Sequence, residues 1–499
     1  MFRRILVANR GEIAVRVLRT ARELGIEVVA VCSEADRDAL HVRMADHAVV
    51  LGGPAPADSY LRTDRILDAA AATGAEAIHP GYGFLAENAG FADAVRDAGL
   101  VFVGPSGDAI RRMGDKIAAR EAAAAADVPV VPGINQEGAD AEALVRFARE
   151  IGFPVMLKAA AGGGGKGIRI VRDEKELAEA AKLASAEARG AFGDGRVYLE
   201  KFVTRPRHVE VQILADRHGK VVSYGERECS VQRRHQKLVE ETPCAALTEA
   251  TRADMCEAAR RVTAAIGYEG AGTVEFLFSE GEFYFLEMNT RLQVEHAITE
   301  EVYGVDLVAE QLRVASGEAA NDPGEARGAA IEVRINAEDP ATFFPSLGTI
   351  ERLRLPGGLG VRVDSALYPG LEVTPYYDSM LAKLIVWAPT RDAAISKMLR
   401  SLGELRIAGV MTSVPVAAKA LRSEPFRSGD YDTGILEKIA DQPGIAASLD
   451  SDIAAIAAAF AKAGGLLARG SASPTSNANG NAAEGVRPWV LGARRGGMR

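Results

Sequence analysis

From residue 4 onward, short apolar runs alternate with stretches whose apolar positions recur at helical spacing. Residues 4–8 read as a strand. Residues 12–24 carry Ile13, Val17, Leu18 and Leu24 along one helix face, and Gly25 closes the turn. Further short apolar runs at 26–31, 75–79 and 100–103 sit between punctuating residues, so the spacing predicts an α/β unit over 1–112 with a doubly wound parallel sheet. A linker over 113–132 holds an alanine-rich helix at 118–126, stopped by Pro129 and Pro132. A further unit spans 133–203, with strands at 154–159 and 168–171 around a glycine run and a helix starting near Glu174.

From about Pro206 the period changes to two. His208, Glu210 and Gln212 alternate with Val209, Val211 and Ile213, the pattern of a half-buried antiparallel strand. More such strands follow to about 390, and a helical pattern ends near Ile439, so 204–446 reads as α+β. The remainder, 447–499, opens with a candidate helix at 453–463. A Ser/Ala/Asn/Gly stretch at 470–485 has little to bury and reads as a flexible linker. The final RPWVLGARRGGMR, with Trp489, Val490, Leu491, Arg494 and Arg495, reads either as a docking segment or as a frayed terminus.

Composition narrows the function classes. The 499 residues are 48% apolar and 25% charged, with a formal net charge of −9. A mildly acidic chain does not suit a dedicated nucleic-acid binder. Four dispersed cysteines form no CxxC pair and exclude a disulfide scaffold or zinc site. The N-terminus lacks the apolar core and cleavage site of a signal peptide, and no apolar run spans a bilayer; a cytoplasmic protein without a membrane partner is expected.

Three segments carry candidate chemistry. In AAAGGGGKGIRIV, Gly162 to Gly165 cannot pack side chains, and exposed backbone N–H groups beside Lys158 and Lys166 suit a phosphate. The spacing matches neither a P-loop, since Gly167 stands where Ser/Thr belongs, nor a dinucleotide fingerprint, since a strand follows. In AGTVEFLFSEGEFYFLEMNTRLQVEH, Glu275 lies directly opposite Glu287 if the loop has three residues centred on Gly281, whereas a two-residue loop would shift the register and weaken the pairing. Paired carboxylates with Asn289 call for magnesium or manganese between them. Alternation then continues through Arg291, Gln293 and Glu295, a polar face on which Arg and Gln suit a small oxyanion and Glu295 suits a base. RECSVQRRHQKLVEE adds Arg227, Arg233, Arg234, His235 and Lys237 as cations for an anion pocket. HPGYGFLAEN follows the third strand of the first unit, at the crevice position of an open sheet. His79, His296 and Cys229 read as core residues.

These stretches, with ILVANRGEIAVRV, MGDK, RHVEVQILAD, RINAEDP and YYDSMLAKL, run in order from residue 5 to about 385. They closely resemble the biotin carboxylase subunit or domain of biotin-dependent carboxylases, in the ATP-grasp superfamily. The resemblance implies an N-terminal doubly wound α/β domain, an ATP-grasp fold with a glycine-rich lid, and a C-terminal α+β domain. It implies carboxylation of biotin N1′ by ATP and bicarbonate.

By position, Lys116, Lys158 and lid residues Gly163, Gly164 and Gly165 fall to the ATP phosphates. Glu200, Lys201, Val203, His208, Gln232, His235 and Leu277 fall to the nucleotide pocket. Glu275 and Glu287, with Asn289 beside them, match ligands for Mg²⁺ or Mn²⁺, expected as two ions. Lys237, Arg291, Gln293 and the Val294 N–H match the bicarbonate site, and Glu295 the base. Arg334 matches the arginine that stabilises the biotin enolate, and Tyr82 the tyrosine near the biotin ring.

The chain departs from the family at Ala297, where proline is usual, and at SLGT (Ser346 to Thr349), where SPGK is usual; these bear on loop geometry only. No AMKM-type biotinylation motif is present. A separate biotin carboxyl carrier protein and a carboxyltransferase are therefore expected partners, and the resemblance implies a homodimer. Competing readings are another ATP-grasp ligase, a regulatory protein that binds nucleotide without turnover and, last, an NAD-dependent oxidoreductase; the intact Glu275, Glu287, Arg291 and Glu295 count against the regulatory reading.

Overall fold

The computed structural model describes residues 1–134, 141–159, 169–193 and 195–440. The lid glycines Gly163, Gly164 and Gly165, Lys166 and the tail at 447–499 lie outside the described residues. Strands β1 (Arg4–Val7), β2 (Glu27–Ser33), β3 (His47–Gly52), β4 (Ala77–His79) and β5 (Val101–Phe102) form a parallel sheet in the order β3-β2-β1-β4-β5. β3 is absent from the hydrophobic pattern because it is an edge strand whose side chains are largely exposed. HPGYGFLAEN therefore follows the fourth strand, not the third.

The sheet order reverses between β1 and β4, which opens a crevice at their C-terminal ends. Asn9, just after β1, donates through Nδ2 to the carbonyls of Pro80 (2.7 Å) and Tyr82 (2.8 Å), fixing the loop that follows β4. Helix α1 (Gly11–Glu23) buries Ile13, Val17 and Leu18 on this sheet.

The second unit is a small antiparallel sheet of β6 (Gly133–Ile134), β7 (Val155–Ala159), β8 (Arg169–Val171) and β9 (Val197–Lys201), in the order β6-β9-β7-β8. Helices Ala141–Ile151 and Glu174–Phe192 bury Leu144, Ala148 and Leu177 against Leu157 and Leu199.

The largest sheet is antiparallel. It contains β10 (Arg207–Ala215), β11 (Val221–Arg233), β12 (Gln236–Thr242), β13 (Gly270–Ser279), β14 (Glu282–Asn289) and β15 (Ala329–Asn336). After β16 (Gly348–Thr349) and β17 (Arg352–Arg354) it is completed by β18 (Val361–Ser365) and, beyond β19 (Glu372–Val373), by β20 (Met380–Ala388), in the order β14-β13-β10-β11-β12-β15-β20-β18.

β10 differs from its half-buried reading: all nine residues are buried. Val209, Val211 and Ile213 pack with Met255, Ala258 and Val262 of helix Glu249–Ala265, each such burial contributing roughly 1.5–3 kcal/mol. Glu210 and Gln212 on the other face are buried too, which is tolerable only because they are paired. Among the described residues no helix is long and apolar enough to cross a membrane.

Candidate active site

The β13–β14 hairpin puts Glu275 opposite Glu287, but by a different route from a three-residue loop. Ser279 pairs with Glu282, so the loop has two residues, Glu280 and Gly281, with φ of 52° and 88°. Two left-handed residues make the tight turn that matches strand twist. That register carries Phe276 opposite Phe285. A β-bulge then leaves Leu286 without a partner and brings Glu287 across from Glu275.

β14 ends at Asn289, so Arg291, Gln293 and Glu295 are not a continuing strand face. They lie in the irregular segment before helix His296–Tyr303, with Glu295 at its N-cap. Their side chains converge all the same. Gln293 Nε2 donates to Glu275 Oε1 (2.8 Å), Arg291 Nη2 donates to Asn289 Oδ1 (3.0 Å), and Glu295 accepts from Lys237 Nζ (2.7 Å).

Lys237, on β12, joins three elements. Its ammonium also reaches Glu210 (2.6 Å) and Glu275 (3.0 Å), and these carboxylates raise its pKa well above the ordinary lysine value against the opposing effect of burial. Burial pushes the Glu275 and Glu295 carboxyls up. Lys237 with His208 overrides this for Glu275, and Lys237 with Arg334 for Glu295, so both are held well below the usual carboxylate range. Arg334, on β15, donates from Nη2 to Glu295 (2.9 Å) and from Nε to Glu240 (2.6 Å).

Beneath this layer lies Arg227, wholly buried. Its five N–H groups meet five acceptors: Glu210 (2.6 Å), Gln212 (2.7 Å), Thr299 (3.0 Å), Thr273 (3.1 Å) and Gln293 (2.9 Å). Arg227 is therefore an internal strut, not a pocket wall as expected. Arg233 also turns away, stacking over Phe343 at 3.8 Å.

Glu287 fits a cation. Its carboxyl is pushed up by burial and by the like charge of Glu275, and among the described residues it has no hydrogen bond or ion pair. A divalent ion beside Glu275 relieves both effects. Asn289 here presents Nδ2 to Glu275 Oε1 (2.8 Å) and its oxygen to Arg291, so the amide must turn to offer oxygen to a metal.

Several of the expected nucleotide residues come close together. The charges of His208, Lys158 and Lys116 join burial in lowering the pKa of His235, so four cationic or potentially cationic side chains face each other. His208 Nε2 lies 2.8 Å from Glu275 Oε2, and His208 is opposite Leu277 across β10–β13. Gln232 is opposite Lys237, and Lys201 ends β9 just before Val203.

Glu200 differs from the expectation in one respect. Its carboxylate is buried and pairs with Lys158 and Arg120, so it is engaged within the protein. Val294 accepts through its carbonyl from Lys383 Nζ (2.7 Å), and the Tyr82 hydroxyl is buried without a partner among the described residues. His79, His296 and Cys229 are buried as expected of core residues.

Sequence reasoning missed Glu87, Glu210, Glu240 and Lys383. Glu87 binds Arg291 Nε (2.7 Å) and the Thr290 N–H (3.1 Å). Glu210 and Glu240 each sit among strand residues that bury both faces, where a carboxylate signals a paired interior cation.

A cluster of basic side chains, a carboxylate pair suited to a divalent ion, and a buried Glu–Lys–Arg chain define an ATP-dependent ligase site of the ATP-grasp kind. Family models agree along the chain: the biotin carboxylase N-terminal domain over residues 1–110, the carbamoyl-phosphate synthase L chain ATP-binding domain over 115–322, and the biotin carboxylase C-terminal domain over 332–438. Biotin carboxylase 1 of Bacillus subtilis is 53% identical over 443 residues, 88% of this chain and 98% of the relative. The biotin carboxylase of Haemophilus influenzae is 50% identical over 442 residues, covering 88% and 99%. A biotin carboxylase βγ-ATP complex from Campylobacter jejuni superposes with a TM-score of 0.85 at 47% identity, covering 88% of this chain and 99% of that one. The biotin carboxylase domain dimer of Hydrogenobacter thermophilus 2-oxoglutarate carboxylase, with MgADP, ADP and bicarbonate, gives 0.83 at 49% identity, covering 88% and 98%. The chain belongs to the biotin carboxylase family.

Proposed function

We propose that this chain carboxylates N1′ of biotin on a separate biotin carboxyl carrier protein, using ATP and bicarbonate, in the cytoplasm and as a homodimer. A carboxyltransferase then receives the group. The observation that carries this reading is the chain Lys237–Glu295–Arg334, linked at 2.7 and 2.9 Å, which joins a cation for bicarbonate, an ionised base and an arginine for the biotin ring.

The residues divide the work as follows. Lys116, Lys158, His208 and His235 neutralise the ATP phosphates, with Glu200, Lys201, Val203, Gln232 and Leu277 about the nucleotide. Glu275 and Glu287, with Asn289 beside them, would hold Mg²⁺ or Mn²⁺, which would supply charge neutralisation at the transferring phosphate. Lys237, Arg291, Gln293 and the Val294 N–H orient bicarbonate, and Glu295 takes its proton. The freed oxygen attacks the γ-phosphorus, ADP leaves and carboxyphosphate forms. Its breakdown gives CO₂ and phosphate; the phosphate takes the N1′ proton, N1′ bonds to CO₂, and Arg334 offsets the enolate charge with Tyr82 beside the ring. A lid at 163–165 would keep water from carboxyphosphate.

The test is ADP release by the purified chain with Mg-ATP and bicarbonate, with and without biotin and with avidin as a control. Release that requires biotin and stops with avidin is the expected result. Release indifferent to both free biotin and a biotinylated carrier domain would favour another ATP-grasp ligase.

A further inference from the structure

Arg334 is shared between two carboxylates along one edge of its guanidinium. Nη2 donates to Glu295 Oε2 at 2.9 Å and Nε to Glu240 Oε1 at 2.6 Å. An arginine normally offers that Nε/Nη2 edge as a fork to a single carboxylate. Here Glu240 occupies Nε, so this edge cannot close on Glu295. Glu240 is wholly buried on β12 and lies directly opposite Glu332 of β15. The remaining oxygen of Glu240 and both oxygens of Glu332 are buried without hydrogen-bond partners among the described residues. Two buried carboxylates in register cannot both be ionised cheaply, so the pair retains a proton near neutral pH.

We propose that Glu240 is a positioning residue for Arg334: by holding Nε it fixes the direction of the guanidinium, so that the arginine is presented to the biotin ring. The inference rests on the proposed biotin carboxylation and deepens it. The groups facing Glu240 are Arg334 and Glu332 from β15, Glu295 before the helix, Lys237 on its own strand and Cys229 on β11. Burial, opposed by Arg334, pushes the Glu240 carboxyl up to about 7. Its hold on Nε therefore strengthens as pH rises through neutrality.

The experiment compares Glu240→Leu and Glu240→Gln with the parent chain. It reads biotin-dependent ADP release with free biotin, bicarbonate-dependent ATP hydrolysis without biotin, and the KM for ATP. Expected for Glu240→Leu is a fall of about tenfold in the biotin-dependent kcat. The biotin-independent rate and the KM for ATP should stay within about twofold, and Glu240→Gln should fall between leucine and the parent. Equal losses in both rates, or a biotin-dependent kcat within about twofold of the parent, would overturn the proposal.

Glu240→Asp covers the case in which Glu240→Leu does not fold. It keeps the charge but draws the carboxylate back from Nε, and should lower the biotin-dependent kcat while the KM for ATP stays within about twofold of the parent; an unchanged biotin-dependent kcat also overturns the idea. If the parent chain itself shows no biotin-dependent release, the reading of the site fails and not this inference.

Discussion

Arg291 Nε donates to Glu87 Oε2 across 2.7 Å, tying the segment after β14 to the loop after β4. The same carboxylate accepts from the Thr290 N–H at 3.1 Å, so one residue of the first sheet's crevice fixes both the backbone and the side chain at the proposed bicarbonate site. Asn9 anchors that loop from β1, which makes the parallel sheet part of the site.

Glu87→Gln keeps an acceptor for Arg291 but removes its charge. The expected outcome is a rise of roughly five- to tenfold in the KM for bicarbonate, with the KM for ATP unchanged, since a charge-assisted bond is worth about 1–1.5 kcal/mol more than a neutral one. Steady-state kinetics with each substrate varied in turn checks it.

Lys237→Met leaves Glu210, Glu275 and Glu295 buried without their shared cation. Breaking such a set costs about 3–5 kcal/mol near neutral pH. The sign follows from the lowered carboxyls: Glu275 and Glu295 contribute stability above the ordinary carboxylate pKa and lose it as pH falls through their depressed values. The gap in Tm between parent and variant should be wide at pH 7 and narrow progressively below about pH 4. A gap independent of pH would count against the electrostatic account.

Glu287 has a raised pKa, so its ionised form costs stability above the ordinary carboxylate value. Glu287→Gln should raise the Tm of the nucleotide-free protein by a few degrees at pH 7 to 8, with the gain shrinking toward pH 4. The same variant should lose Mg-ADP affinity, measured by calorimetry. Stabilisation together with weakened binding is the expected signature of a residue kept for a cation.

Lys383 is wholly buried, bonded to the Val294 carbonyl at 2.7 Å, and 3.8 Å from both Glu12 and Asp364. Burial, countered by Lys383, pushes the Glu12 carboxyl up to about 7, whereas Lys383 and Arg362 overcome burial to hold Asp364 low. Lys383→Met releases the peptide between Val294 and Glu295. A loss of about tenfold in kcat/KM for bicarbonate is expected, larger than the change in kcat/KM for ATP.

The pairing of Glu275 with Glu287 shows how sequence and structure divided the problem. Alternation placed both on one face, and a three-residue loop gave the right partners. The protein instead uses the tighter turn at Glu280 and Gly281 and recovers the register with a bulge at Leu286. Bulges leave no periodic trace, because the extra residue is chosen by strand twist and neighbouring strands.

Local pattern by itself determined the first parallel sheet apart from its exposed edge strand β3, the antiparallel character beyond Pro206, and the types of residue a phosphate and cation site needs. Motif order tied these to one family. Tertiary structure alone decided which charged and polar groups meet: Arg227 beneath Glu210 and Gln293, Glu87 on Arg291, Glu240 and Glu332 beside Arg334, and Lys383 under Val294. Periodicity records which side of a strand is polar, but an interior charge is stable only through partners brought from distant strands, and those partners are set by sheet order.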